Sequence, residues 1–247
     1  MTMLHQFVDL EPLSRAAATL FAEQARAAVT SRGRFSVLLA GGETPRRTYE
    51  LLAEEPLRSA IPWDRIYFFW GDERCVSAKD PKRNEGMVRR ALLDHLQIQP
   101  EQVHPIRSAL APEQAAADYD AELHRFFVSS PPRFDLAFLG LGTDGHTASL
   151  LPGSAALEEK VRWTAVTRRH KEPFSRVTLT APLLNQAALV VFLVTGRDKA
   201  GVLQSILTPA SDHPAFPAQL IRPLTGALHW YVDRHAASLL TGGHAAF

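Results

Sequence analysis

The residue of this chain best suited to move a proton is a histidine set among glycines. His146 lies in Gly-Leu-Gly-Thr-Asp-Gly-His-Thr, just past the apolar segment Phe134 to Leu139, with Asp144 two positions before it. Imidazole changes charge near neutral pH, so a histidine at the end of a buried strand, with an acid beside it, suits general-base work. A lone histidine more often packs than reacts, and the weight therefore falls on its company. No HxxxH or HExxH spacing points to a metal, and no G-x-S-x-G elbow points to a serine nucleophile.

Three further stretches carry groups that suit an anionic ligand. Gly41-Gly42-Glu43-Thr44-Pro45 follows an apolar run and opens a helix. Glycine lets backbone approach a ligand, and free N–H groups at a helix start favour phosphate. No Gly-Lys-Ser/Thr follows, so a nucleoside triphosphate is not implied, and a tight turn with a helix cap is the plainer alternative. In Gly71-Asp72-Glu73-Arg74 the guanidinium of Arg74 suits a phosphate and Asp72 suits sugar hydroxyls, against the alternative of a local ion-pair cluster. Lys199, in Gly196-Arg197-Asp198-Lys199, is expected in the first turn of a helix, where the dipole disfavours a cation unless an anion meets it. Cys75 has no patterned partner and reads as a small packed residue.

The elements needed to position these groups alternate helix and strand. Leu13, Ala17, Leu20, Phe21 and Ala28 share a helical face over residues 12–32, and Gly33 stops that helix. Phe35 to Ala40, Arg65 to Trp70, Phe134 to Leu139 and Ala187 to Val194 are apolar throughout, as strands covered on both faces are. Helices are expected from Thr44 as N-cap, after Pro81, from Pro112 to about Val128, from about Asp198 to Leu207 and from Asp233 to Leu240. WTAVT, RVTLT and a segment around Leu228 to Val232 read as further strands. The pattern predicts an α/β fold: one domain over residues 1–247, Rossmann-like, with a mostly parallel sheet flanked by helices on both faces. Ligands bind such sheets outside the carboxyl ends of the strands. AGGETP, GDERC, GLGTDGHTAS and VTGRDKA are four strand ends on that one edge.

Composition narrows the partners. The 247 residues carry 27 Lys and Arg against 26 Asp and Glu, a formal net charge of +1, and no basic stripe, which argues against nucleic acid or an anionic membrane. The longest apolar run is far below the roughly 20 residues that span a bilayer. One cysteine excludes an intrachain disulfide and a cysteine-based zinc site. The expectation is a soluble, cytoplasmic protein, monomeric or a small homo-oligomer.

Together, AGGETP, FFWGDERCV with Asn84-Glu85-Gly86-Met87, FDLAFLGLGTDGHTASLLPGS, RVTLTAPLLN, FLVTGRDKA and PAQLIRP resemble the 6-phosphogluconolactonase family. Its broader fold group includes glucosamine-6-phosphate deaminases. The resemblance runs over nearly the whole chain, and GTDGHTASLLPGS is its most specific part. It implies hydrolysis of 6-phospho-D-glucono-1,5-lactone, a small phosphorylated sugar lactone, to 6-phosphogluconate in the oxidative pentose phosphate pathway. No metal and no organic cofactor are implied. By the same resemblance His146 activates water with Asp144 in support, Arg74 and Lys199 hold phosphate, the Gly41-Gly42-Thr44 turn lines the pocket, and Asp72 belongs to the substrate site.

The chain departs from the family at Ala40 and Glu43, where serine is frequent, and at Arg83, where a small polar residue is frequent; Glu43 is expected to point away from phosphate. Two alternatives stay open. A deaminase-type enzyme resembles GHIAFNEP after the same strand, with an acid where this chain has Leu151. A non-catalytic sugar-phosphate sensor would keep the phosphate ligands without needing the base.

Overall fold

The computed structural model describes residues 2–128, 132–170, 172–208 and 215–240. The chain starts on strand β1 (Thr2–Phe7), followed by helix α1 (Leu10–Arg32), β2 (Phe35–Leu39), α2 (Glu43–Leu52) and α3 (Leu57–Ala60). Next come β3 (Ile66–Trp70), β4 (Asp72–Arg74), α4 (Asn84–Ala91), β5 (Val103–His104), α5 (Pro112–Phe126) and β6 (Leu136–Leu139). The remainder is β7 (Thr164–Thr167), β8 (Arg176–Leu179), α6 (Ala181–Leu184), β9 (Leu189–Val194), α7 (Ala200–Leu207) and β10 (Ala227–Asp233). Among the described residues no helix is long and apolar enough to cross a membrane.

Seven strands form one parallel sheet in the order β1-β10-β9-β6-β2-β3-β5. Every residue of β2, β6 and β9 is buried. Successive side chains point to opposite faces, so a strand buried at every position is covered on both sides. This is the expected α/β architecture. Helix α1 buries Leu13, Ala17, Phe21, Ala25 and Ala28 along one stripe. Its ends are set chemically: the Asp9 carboxylate accepts the Glu11 N–H at 3.1 Å, and Gly33 turns left-handed (φ 73°) to close on Val29 O at 2.8 Å.

Four features differ from the sequence reading. Strand β1 was not anticipated, because TMLHQF lies at the sheet edge and is only partly buried, which leaves no apolar run. β4, β8 and β7 form a separate three-stranded antiparallel sheet, a pairing set by tertiary contacts. Helix α2 is capped by Gly42 rather than Thr44, since the positive φ of Gly42 (104°) reverses the chain earlier and Glu43 already begins the helix. Residues 234–239 form turns instead of a helix. There β10 keeps Asp233 extended, and its carboxylate is shared between the Ala236 and Gly196 N–H groups.

Two buried tyrosines finish the strands that lead into the glycine turns. The Tyr49 hydroxyl, from α2, accepts the N–H of Ala40 and donates to its carbonyl, both at 3.0 Å. The Tyr119 hydroxyl, from α5, does the same for Trp70, again at 3.0 Å twice. Each phenol thus satisfies one donor and one acceptor where the ladder runs out, and burial pushes both phenols far up from their ordinary titration range. Tyr49→Phe and Tyr119→Phe should each lower unfolding free energy by about 1–3 kcal/mol. Urea unfolding checks this, and wild-type midpoints in both variants would show that the hydroxyls contribute nothing net.

Candidate active site

The four central strands of the sheet, β9-β6-β2-β3, end side by side. Chain connections leave β2 toward β3 on one side and β6 toward β9 on the other, so the crevice between β2 and β6 is a topological switch point. A cavity of about 240 Å³ occupies it, lined by Ala40–Gly42, Gly71, Asp72 and Arg74 on one side and residues 138–142 on the other. Asn84, His146, Ala148, Arg176 and Lys199 complete the lining.

The loop after β6 shapes the histidine. Gly142 N–H donates to His146 O at 2.8 Å and Gly145 N–H donates to Gly142 O at 3.0 Å, closing a tight turn. A β-carbon on Gly142 would overlap the His146 ring, so glycine is needed there for the ring to lie against the backbone. His146 Nδ1 is 2.5 Å from Asp144 Oδ1, and the side chain keeps 20% of its surface exposed. With Nδ1–H donating to the carboxylate, Nε2 carries the free lone pair. Burial alone would raise the Asp144 carboxyl, but the hydrogen bond and charge of His146 and the nearby Arg169 cation hold it below its ordinary value. Arg169 Nη2 lies 3.0 Å from Asp144 Oδ2.

The antiparallel sheet supplies two cations. Arg74 and Arg176 are directly paired across β4 and β8, as are Asp72 and Thr178, so these four side chains share a face. Arg176 is buried; its guanidinium donates to both oxygens of Glu172 at 2.8 and 3.0 Å and stands 3.9 Å from Asp72 Oδ2. Arg74 Nη1 donates to the Asn84 amide oxygen at 2.7 Å and to Lys82 O at 2.6 Å. Asn84 Nδ2 in turn donates to Asp72 O at 2.8 Å and Oδ1 at 3.2 Å, while Asp72 Oδ2 accepts from Ser149 Oγ at 2.5 Å. Lys199 arrives from the single turn of 3₁₀ helix before α7, with its ammonium 3.2 Å from Asp198.

Of the residues singled out by sequence, Gly41, Gly42, Asp72, Arg74, His146 and Lys199 line one cavity, and Asp144 sits behind the imidazole. Thr44 does not line it: its hydroxyl is engaged 2.7 Å from Thr195 Oγ1. Glu43 points outward and pairs with Arg46 at 2.8 Å. Cys75 is half-buried, and burial next to Glu73 and Glu113 pushes its thiol up to about 11, the reverse of an activated nucleophile. Asn84, Arg169 and Arg176 were not assigned from sequence. For Arg176 a signal existed, an arginine opening an otherwise uncharged strand; Asn84 and Arg169 reach the site only through the fold.

Glu73 faces the opposite side of β4 and caps α4. Its carboxylate oxygens accept the N–H groups of Arg74, Asn84 and Glu85 at 2.8, 2.8 and 2.9 Å. Burial nonetheless pushes this carboxyl from 4.5 up to about 7, opposed by those three donors and helped by Asp72. A folded value above the unfolded one means that the stability from the protonated acid is complete below the unfolded value and is lost as pH rises through the folded one. The stability advantage of wild type over Glu73→Gln should therefore shrink, by up to about 3 kcal/mol, from about pH 5 to about pH 8. Urea unfolding at both pH values checks it; an advantage that holds or widens would mean the ionised form is preferred.

Comparison with known proteins bears on the same chain segments. A family profile described as glucosamine-6-phosphate isomerases/6-phosphogluconolactonase matches residues 8–230. The 6-phosphogluconolactonase of Synechocystis is 44% identical over 217 residues, 86% of this chain and 88% of that protein. That of Homo sapiens is 38% identical over 247 residues, covering 97% and 94%. The solved structure of 6-phosphogluconolactonase from Trypanosoma cruzi superposes with a TM-score of 0.87 at 29% identity, covering 98% of both chains. With the profile spanning most of its length and relatives well above 30% identity, the chain belongs to the glucosamine-6-phosphate isomerase/6-phosphogluconolactonase family, and within it to the 6-phosphogluconolactonases.

Proposed function

We propose that this enzyme hydrolyses 6-phospho-D-glucono-1,5-lactone to 6-phosphogluconate, with His146 as the base. The observation that carries the residue assignment is the shared cavity. A carboxylate-backed imidazole and the cations of Arg74 and Lys199 come from three separate strand ends to one rim.

Hydrolysis adds water across the lactone C–O bond. His146 Nε2 takes a proton as the water oxygen attacks C1, giving a tetrahedral alkoxide. When the alkoxide collapses, the bond from C1 to the ring oxygen breaks, and the imidazolium returns its proton to that oxygen. Neutral imidazole suits both halves near pH 7. Gly142 and Gly145 N–H groups are engaged within their own loop, so they are not the donors to the alkoxide. The phosphate sits remote from C1 and supplies orientation. The Arg74 acceptors, a carbonyl and an amide, are both neutral, so its full charge is available to a phosphate. Lys199 shares its charge with Asp198 and serves as the second ligand. Asp72, tied to Asn84 and Ser149, fixes β4, the strand that also carries Arg74, and presents an acceptor to substrate hydroxyls.

The deaminase reading calls for an acid at Leu151, which is buried at 4% exposure and has no proton to relay. A sensor would have no use for the pairing of Asp144 with His146. The reading extends to a cytoplasmic enzyme acting as a monomer or small homo-oligomer without nucleic-acid or membrane partners, supported by near-zero net charge and a single cysteine.

His146→Ala should lower kcat by about 10²–10⁴-fold with KM nearly unchanged. Arg74→Ala and Lys199→Ala should raise KM about tenfold or more with less effect on kcat. Lactone consumption against a buffer blank, with glucosamine 6-phosphate assayed in parallel, checks all three. Wild-type turnover by His146→Ala removes the base assignment, and release of ammonia from the amino sugar removes the lactonase reading.

A further inference from the structure

Arg169 lies in the loop between β7 and β8, outside the cavity lining, yet it reaches the base from behind. Its Nη2 is 3.0 Å from Asp144 Oδ2 and 2.9 Å from His146 Nδ1. Nδ1 stands closer, 2.5 Å, to Asp144 Oδ1 and gives its proton there. Imidazole and guanidinium therefore aim two donors at the two oxygens of one carboxylate. Asp144 is 38% exposed on its side chain, and its Oδ1 also accepts the His146 backbone N–H at 3.3 Å. Among the described residues Arg169 is the one partner of its outer oxygen. Arg169 itself is steered by Glu172, whose Oε1 is 3.9 Å from its Nε.

We propose that Arg169 is a positioning residue for the hydrolysis: it pins Asp144 in the orientation that aims His146 Nε2 into the cavity. The inference rests on reading His146 as the base. The consequence is geometric: with Asp144 held at both oxygens, the imidazole that pairs with it keeps one orientation toward the cavity.

The other charges around His146 have contacts of their own that do not involve Arg169. Arg74 on β4, Arg176 on β8 and Lys199 after β9 line the same cavity; Asp72 lies behind Arg176, and Asp198 beside Lys199. Glu172 remains held by its two bonds from Arg176. A difference between variants at position 169 thus reads the grip of Arg169 on Asp144.

The test is kcat and KM for lactone hydrolysis, blank-subtracted, in wild type, Arg169→Ala, Arg169→Gln and Arg169→Lys, with His146→Ala alongside. Arg169→Ala should lose about tenfold in kcat at unchanged KM. Arg169→Gln and Arg169→Lys, which each keep an N–H for Asp144, should recover most of that rate. Wild-type kcat in Arg169→Ala, no recovery in either rescue variant, or a loss that appears in KM rather than kcat, overturns the inference. If His146→Ala turns over like wild type, the base reading has failed instead. Should Arg169→Ala not fold by circular dichroism, the Gln and Lys kinetics decide alone, a loss confined to KM overturning the inference.

Discussion

Asn84 is the hub on which the cavity depends. Its amide oxygen receives Arg74, its amide nitrogen reaches both the backbone and the carboxylate of Asp72, and its backbone N–H is held by Glu73. Gly41 lies so close that a β-carbon would overlap the amide. One buried side chain thereby fixes the distance between the turn after β2, the strand after β3 and the start of α4. A neutral amide suits this role because it offers a donor and an acceptor at once and adds no charge to a region already holding several ions.

Charge around the cavity is layered. Cations face inward and carboxylates stand behind two of them: Glu172 behind Arg176 and Asp198 beside Lys199. On the other wall the order is reversed in function, with an acid, Asp144, backing the imidazole and a cation, Arg169, backing the acid. A buried ion left alone is strongly unfavourable, and a buried pair with full hydrogen bonding is roughly neutral. The layering offsets the cost of gathering these ions while the inner surface stays attractive to a dianion. Both walls use short backbone loops on a rigid sheet, so their geometry is inherited from strand register rather than from long flexible segments.

Much of this was legible from residues alone, for reasons that are local. Apolar strands such as FSVLL and LVVFLV announce a sheet covered on both faces, and glycine clusters after them announce turns at one edge. His146, Arg74 and Lys199 were legible because each follows such a strand within a few residues, so strand order alone brings them together. Thr44 was misplaced because a cap is decided by where the backbone turns, and Gly42, with its positive φ, reverses the chain two positions sooner. Arg169 and Asn84 were silent because their partners are remote in sequence or across the site: Arg169 lies 23 positions from His146. The antiparallel sheet of β4, β8 and β7 was likewise hidden, since three- and four-residue strands carry too short a pattern to declare their neighbours.

The tyrosine closures at Ala40 and Trp70 have an evolutionary consequence. Because a phenol from the helical layer completes the last peptide group of each strand, the adjoining turn is relieved of holding the sheet shut. Scaffold and rim become mechanically separate parts, joined at a sealed seam. Replacements on the rim, such as alanine at position 40 or glutamate at position 43, then alter what the mouth of the crevice presents without unzipping the strands beneath. A fold built this way can host related sugar phosphates by exchanging a few turn residues while its frame stays the same.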